Sequence, residues 1–184
     1  MITTTSVTQD SDNIVVTDAL AKLHLRVDGT DEDQLISLYL ASAQSVVENR
    51  TGRAVGLQRF VLNLDCFDAV TFGKSSNDAI EKVEYYPAAG NELVELSDDS
   101  LFSMIDCGPD SLNLSFNGDL PAIAKRDDAI KVTIRRGYAI ADCPTPIKNA
   151  MLLLIGDSYE RREDRGDVGY NSQVDSLLRP YRKW

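Results

Sequence analysis

The sequence predicts an α+β protein: an N-terminal helix pair and a long C-terminal helix packed on a small antiparallel β-sheet, with an extended C-terminal tail. Three observations point there. Apolar residues recur at helical spacing from Thr17 to Thr51 and again in "CPTPIKNAMLLLIGDSYERRED" (143–164). Between those stretches the period drops to two, in short runs bounded by Gly, Asp, Asn or Pro. After the long helical pattern, Pro180 interrupts a last cluster of large side chains.

Residues 1–13, "MITTTSVTQDSDN", are rich in Thr, Ser and Asp and read as a loose arm. They hold neither a positive n-region nor an apolar h-region, so no signal peptide is expected. Thr17 reads as an N-cap. Ala19, Leu20, Leu23 and Val27 follow at helical spacing, with a stop near Asp28-Gly29. Thr30 begins a second helix whose first turn holds Asp31, Glu32 and Asp33, where the helix dipole favours carboxylates. Leu35, Leu38, Tyr39, Ser42 and Val46, beside Ile36, Leu40, Ala43 and Val47, predict a broad apolar face ending at Thr51-Gly52.

"FVLNLDCF" (60–67) and "IEKVEYY" (80–86) alternate, and Pro87–Asn91 reads as a turn. "LVEL", "LFSMI", "LNLSF" and "AIKVTIRRGY" complete an antiparallel meander of about five to seven strands. Thr145 is placed to cap the long helix, with Pro146 at its first helical position. Residues 1–13 are thus an arm, 14–165 one domain, and 166–184 a linker and tail.

The composition sets limits. The 184 residues carry 29 acidic and 19 basic side chains, a net charge of −10. That balance disfavours a surface that tracks nucleic-acid phosphates. The longest apolar run, Ala150–Ile155, is far too short to cross a bilayer. Cys66, Cys107 and Cys143 are widely spaced and odd in number, which favours free thiols over a disulfide framework. His24 is the only histidine, and no nucleophile or carboxylate stands at a telling offset from it. Asp28, Asp31, Glu32 and Asp33 lack calcium-loop spacing and suit helix capping better. No phosphate-binding glycine loop occurs. Arg165-Gly166-Asp167 matches an adhesion tripeptide, a pattern too short to carry weight. No catalytic, cofactor-binding or metal residue is expected.

Two segments remain. The charge run Arg161, Arg162, Glu163, Asp164, Arg165 reads as a solvated helix end or, more sharply, as a subunit interface built from both signs. The terminal stretch Leu177, Leu178, Arg179, Pro180, Tyr181, Arg182, Lys183, Trp184 would be an apolar liability on a lone monomer. It folds back on its own domain or docks elsewhere, and in extended form it suits strand addition to a partner's sheet edge.

The ordered set of segments resembles the head–tail connector (adaptor) proteins of tailed bacteriophages and prophages. "VTDALAKLHLRVDGTDEDQLISLYLASAQSVVENRTGRAV" (16–55) is similar to that family's opening helix pair, including its Glu-x-x-Thr-Gly-Arg close. "FVLNLDCF" and "IEKVEYYPAAG" resemble its first strands. "VTIRRGYAIADCPTPIKNAMLLLIGDSYERRED" resembles its last strand and long helix, and "LLRPYRKW" its Leu-Leu-x-Pro-Tyr-Arg ending. "DAVTFGKSSNDA" departs from the pattern, lacking the usual proline-rich turn. The resemblance implies a virion protein without enzymatic activity or cofactor, sited at the head–tail junction after assembly in the host cytoplasm. It implies a ring of copies, twelvefold in the virion and monomeric in isolation, below the portal protein. The ring would extend the channel through which DNA passes without sequence-specific binding. It would also carry a neck stopper or tail-completion protein, and the 177–184 stretch would dock on the portal. The alternatives are that the chain is itself the stopper or tail-completion protein, or a small cytosolic enzyme.

Overall fold

The computed structural model describes residues 3–9, 14–108, 111–161 and 172–182, and of 3–9 only the backbone. The α+β expectation holds. The expected single domain over 14–165 divides into two compact units, one of residues 1–11 and 57–137, the other of residues 12–56 and 138–184.

Among the described residues the first unit holds eight strands: β1 (Thr3–Gln9), β2 (Gln58–Leu64), β3 (Val70–Gly73), β4 (Ala79–Tyr85), β5 (Val94–Glu95), β6 (Phe102–Asp106), β7 (Ser111–Phe116) and β8 (Ile130–Arg136). They form two antiparallel sheets, ordered β1-β2-β8-β4-β5 and β3-β7-β6, rather than one meander. The chain-last strand β8 lies between β2 and β4, so its inward residues meet neighbours on both sides. Ile134 stands opposite Phe60 and Ile80, and Val132 opposite Leu62 and Val83. Alternation along "IKVTIRR" leaves Ile130, Val132 and Ile134 at most 1% exposed. The second sheet adds Val70, Phe72, Leu112 and Leu114 to the same core.

The loose-arm expectation for residues 1–13 is corrected over Thr3–Gln9, which pair with β2 as an edge strand. The segment that departs from the family pattern contains β3, paired with β7 from Val70 to Gly73. Arg136 ties the two sheets together. Its guanidinium lies 4.6 Å from the Phe72 ring centre, its Nη2 donates to the Gly73 carbonyl, and its Nε stands 3.6 Å from Asp78. The Asp78 carboxylate, 1% exposed, also accepts the Ser75 amide at 2.6 Å.

The second unit holds α1 (Asp18–Leu25), α2 (Asp33–Thr51), α3 (Thr145–Glu160) and α4 (Ser172–Leu178). Thr17 caps α1 as predicted, its hydroxyl accepting the Leu20 amide at 3.3 Å. The helix stops sooner than predicted, at Arg26, which takes up a left-handed conformation with φ 57°. Thr30 does not cap α2. Its carbonyl accepts the Asp33 amide, and Glu32 holds the N-cap position without a side-chain capping bond. Thr145 is the first residue of α3 and not its cap; Pro144 precedes it. The helices bury their apolar stripes against one another: Ile36, Leu40, Ala43 and Val47 of α2 share a core with Ile147, Ala150, Met151 and Ile155 of α3. Gln44 is buried in it and satisfied, its Oε1 accepting the Val15 amide at 3.2 Å.

Candidate interaction surfaces

The C-terminal segment departs most from expectation. Where an extended tail was predicted, residues 172–178 form α4, and Arg179–Tyr181 continue as a 3-10 turn with Pro180 inside it. The cause is visible in the residues. Val174, Leu177, Leu178 and Tyr181 stand at i, i+3, i+4 and i+7, which is helical spacing. Pro180 lies where a turn tolerates it, near the start of the 3-10 segment. Val174 and Leu178 are fully buried in the helical core, and Leu177 and Tyr181 pack against it half-buried. Of the predicted docking residues, Leu178 is thus not available to a partner in this state. Arg179 and Pro180 are exposed, Arg182 is half-buried, and Lys183 and Trp184 lie outside the described residues.

Arginines hold the segment. Asp175 accepts from Arg182 and stands 3.7 Å from Arg50. Arg53, 5% exposed, donates its Nε–H to the Tyr181 carbonyl at 2.7 Å. Arg53 was not singled out as a site residue by sequence, although the Glu-x-x-Thr-Gly-Arg close contains it. Each member of that close has a distinct task. Glu48 Oε1 accepts the Val55 amide at 3.0 Å, turning the chain back after α2. Thr51 bonds the Val47 carbonyl, and Gly52 takes the left-handed conformation at φ 67° that ends the helix. The direction set there brings Arg53 onto Tyr181. Two motifs separated by 128 residues therefore meet in one buried contact.

Of the charge run, Arg161 closes α3, donating its amide to the Asp157 carbonyl at 3.1 Å with its side chain exposed. Arg162, Glu163, Asp164 and Arg165 lie outside the described residues. Asp33 pairs with Lys22, and Glu32 accepts from the Tyr159 hydroxyl, so both carboxylates act within the helical unit. The three cysteines are free. The Cys66 thiol lies against the Asp68 and Asp65 carboxylates at 3.0 and 3.3 Å, which push its pKa up to about 11. Burial pushes the Cys143 thiol up to about 11 as well, while Cys107 is exposed. Among the described residues no group of acidic, histidine or cysteine side chains could hold a metal ion, and no helix is long and apolar enough to cross a membrane.

The outer faces of α1 and α2 also differ from the predicted pattern. Leu20, Leu23 and Leu38, assigned to apolar core faces, are 38%, 76% and 63% exposed. Ala21, between the α1 leucines, is the fully buried residue of that helix.

Residues 19–94 match the family model of the phage gp6-like head-tail connector protein. Three chains of solved particles share the fold. One, in the neck of an empty gene transfer agent (GTA) particle computed with C6 symmetry, superposes with a TM-score of 0.76 at 18% identity, over 100% of this chain and 96% of that one. A second, in the virion of a native GTA particle, gives 0.75 at 21% identity, over 98% and 95%. A third, in the neck of a native GTA particle computed with C12 symmetry, gives 0.65 at 19% identity, over 92% of both chains. No curated protein matches the chain in sequence.

Proposed function

We propose, from the likeness to the phage gp6-like head-tail connector family, that this chain is a non-enzymatic structural protein of the neck of a tailed phage or phage-like particle. Copies form a ring below the portal protein, extend the DNA channel and offer a platform to the next neck or tail protein. The supporting observation is the agreement of two separate likenesses. The family match covers α1, α2 and strands β2 to β4, and chains of phage-like particles share the fold over nearly the whole length. The net charge of −10 suits a channel through which DNA slides, because carboxylates repel phosphate over roughly one Debye length, about 8 Å at physiological salt.

The C-terminal segment keeps a docking role in this reading, confined to its end. With Val174 and Leu178 in the core, the surface offered to a portal begins at exposed Arg179 and Pro180 and takes in half-buried Tyr181 and Arg182; Lys183 and Trp184 follow them in the sequence. Basic side chains there meet portal carboxylates and set register more than affinity. The Arg161–Arg165 run meets opposite charges on the neighbouring copy. Exposed pairs contribute only about 0–1 kcal/mol each, but a ring repeats them. The test is co-expression with the portal protein of the same particle. The tagged chain is expected to recover portal, and Arg179→Glu to weaken the recovery without lowering the melting temperature. A folded chain that neither binds portal nor enters particles refutes the reading.

A further inference from the structure

We propose that the outer face of the α1–α2 pair is a contact surface between copies of this chain. Leu23 lies two residues from Ala21 and Leu25, and Leu38 two residues from Ile36 and Leu40. On a helix of 3.6 residues per turn, that spacing turns each leucine away from the core its neighbours enter. Both are accordingly open, at 76% and 63% exposure, with Leu20 at 38%. The helices are joined side by side: Ser37 Oγ lies 3.5 Å from Asp18, and Lys22 pairs with Asp33. Their outer faces therefore adjoin. Along α2 the exposed stripe continues through Ala41, Ser42, Ser45 and Asn49, none of them charged. The protein as a whole is 26% charged.

Single surface leucines are ordinary, but three on adjoining helices beside an uncharged stripe make a patch. The occupant that fits is a second copy. Two molecules each carrying −10 repel, and an uncharged stripe is a face on which they approach at small electrostatic cost. A partner recognised by opposite charge would find none along this stripe to pair with. The 19 residues of α2 span about 28 Å, which with a width of roughly 10 Å and the shorter α1 gives on the order of 400 Å² per copy. That is about half the ~800 Å² per partner of a standard interface. A lone pair is therefore weak, and the contact gains strength when a closed ring repeats it. For that repetition the inference rests on the ring reading above; for the choice of face it does not.

The test uses the full chain and its Leu23→Asp, Leu38→Asp double variant. Sedimentation velocity on the wild type is expected to show a sedimentation coefficient rising with concentration, and the double variant is expected to lose that rise while keeping its melting temperature. A wild type that stays monomeric up to its solubility limit overturns the proposal. So does a variant that associates equally well, or one that melts lower because the leucines are covered within the molecule. Incorporation into particles separates the two readings. A wild type that self-associates through this face yet is absent from particles upholds the face and overturns the neck assignment. If both forms enter particles equally, the face is refuted and the neck assignment stands.

Discussion

Shortening Leu178 to alanine tests whether the C-terminal segment is part of the helical core. Leu178 is 0% exposed and sits one turn beyond Val174, also fully buried. The substitution removes three carbons, about 2.4 kcal/mol of transfer free energy at roughly 0.8 kcal/mol per group. The cavity left behind adds to this, and Leu→Ala changes at fully buried sites cost about 2–5 kcal/mol. Here the upper end is not expected. A short helix at the end of the chain can undock, which caps the loss at the free energy of its docking. We expect about 2–4 kcal/mol, which corresponds to a melting shift of roughly 4–16 °C at about 2–4 °C per kcal/mol for a chain of this size. Because the protein has two compact units, a global melt alone would blur the result. Hydrogen exchange reads the segment locally and should speed up in α4 amides of Leu178→Ala, while urea titration followed by far-UV circular dichroism should show an early transition. Truncation after Gln173, which removes Val174 and Leu178 together, should likewise destabilise the helical unit. Indistinguishable titrations for wild type and Leu178→Ala, within about 0.5 kcal/mol, would mean that the segment does not pack as described.

Four further outcomes are expected. Asp78→Ala leaves Arg136, whose side chain is 14% exposed, without its carboxylate and should cost about 3–5 kcal/mol, read as accelerated exchange of β8 amides; replacing both residues with apolar ones of similar volume should cost far less. At mildly alkaline pH a thiol reagent should label Cys107 first, with Cys66 and Cys143 resisting because the flanking carboxylates and burial respectively keep them protonated. Since the Cys143 pKa is raised on folding from the ordinary 9.0 to about 11, its contribution to stability is complete below pH 9 and is lost as pH rises through 11. Cys143→Ala should flatten that alkaline decline in a pH series of urea titrations, and an unchanged slope would count against the assignment. With a net charge of −10, the isolated protein should leave duplex DNA unshifted in a gel at about 0.15 M salt, and sub-micromolar binding would contradict the channel argument.

What the sequence by itself determined are the features that depend on neighbours a few residues apart. The Thr17 cap, the Thr51-Gly52 stop, the apolar stripe of α3 and the alternation of β2, β4, β6, β7 and β8 all rest on local periodicity or terminal chemistry. The α4 helix was legible in the same way, through Val174, Leu177, Leu178 and Tyr181. The helix-breaking reputation of Pro180 obscured it, although that residue falls beyond the last α-helical turn. Other features were decided by partners far along the chain. "TTTSVTQ" has too little apolar pattern to announce a strand, and it becomes one by pairing with β2, whose residues lie 49 to 60 positions later. Nothing local divides the strands into two sheets, because the pairing joins strands far apart in the chain, with β8 between β2 and β4. The α1 and α2 leucines look like core residues in a helical pattern, and only the packed bundle decides which side of each helix is inside. Arg53 shows the same limit. Its motif fixes the turn that aims it, but its acceptor, the Tyr181 carbonyl, is supplied by tertiary structure alone, since a backbone oxygen is the same atom at every position in a sequence.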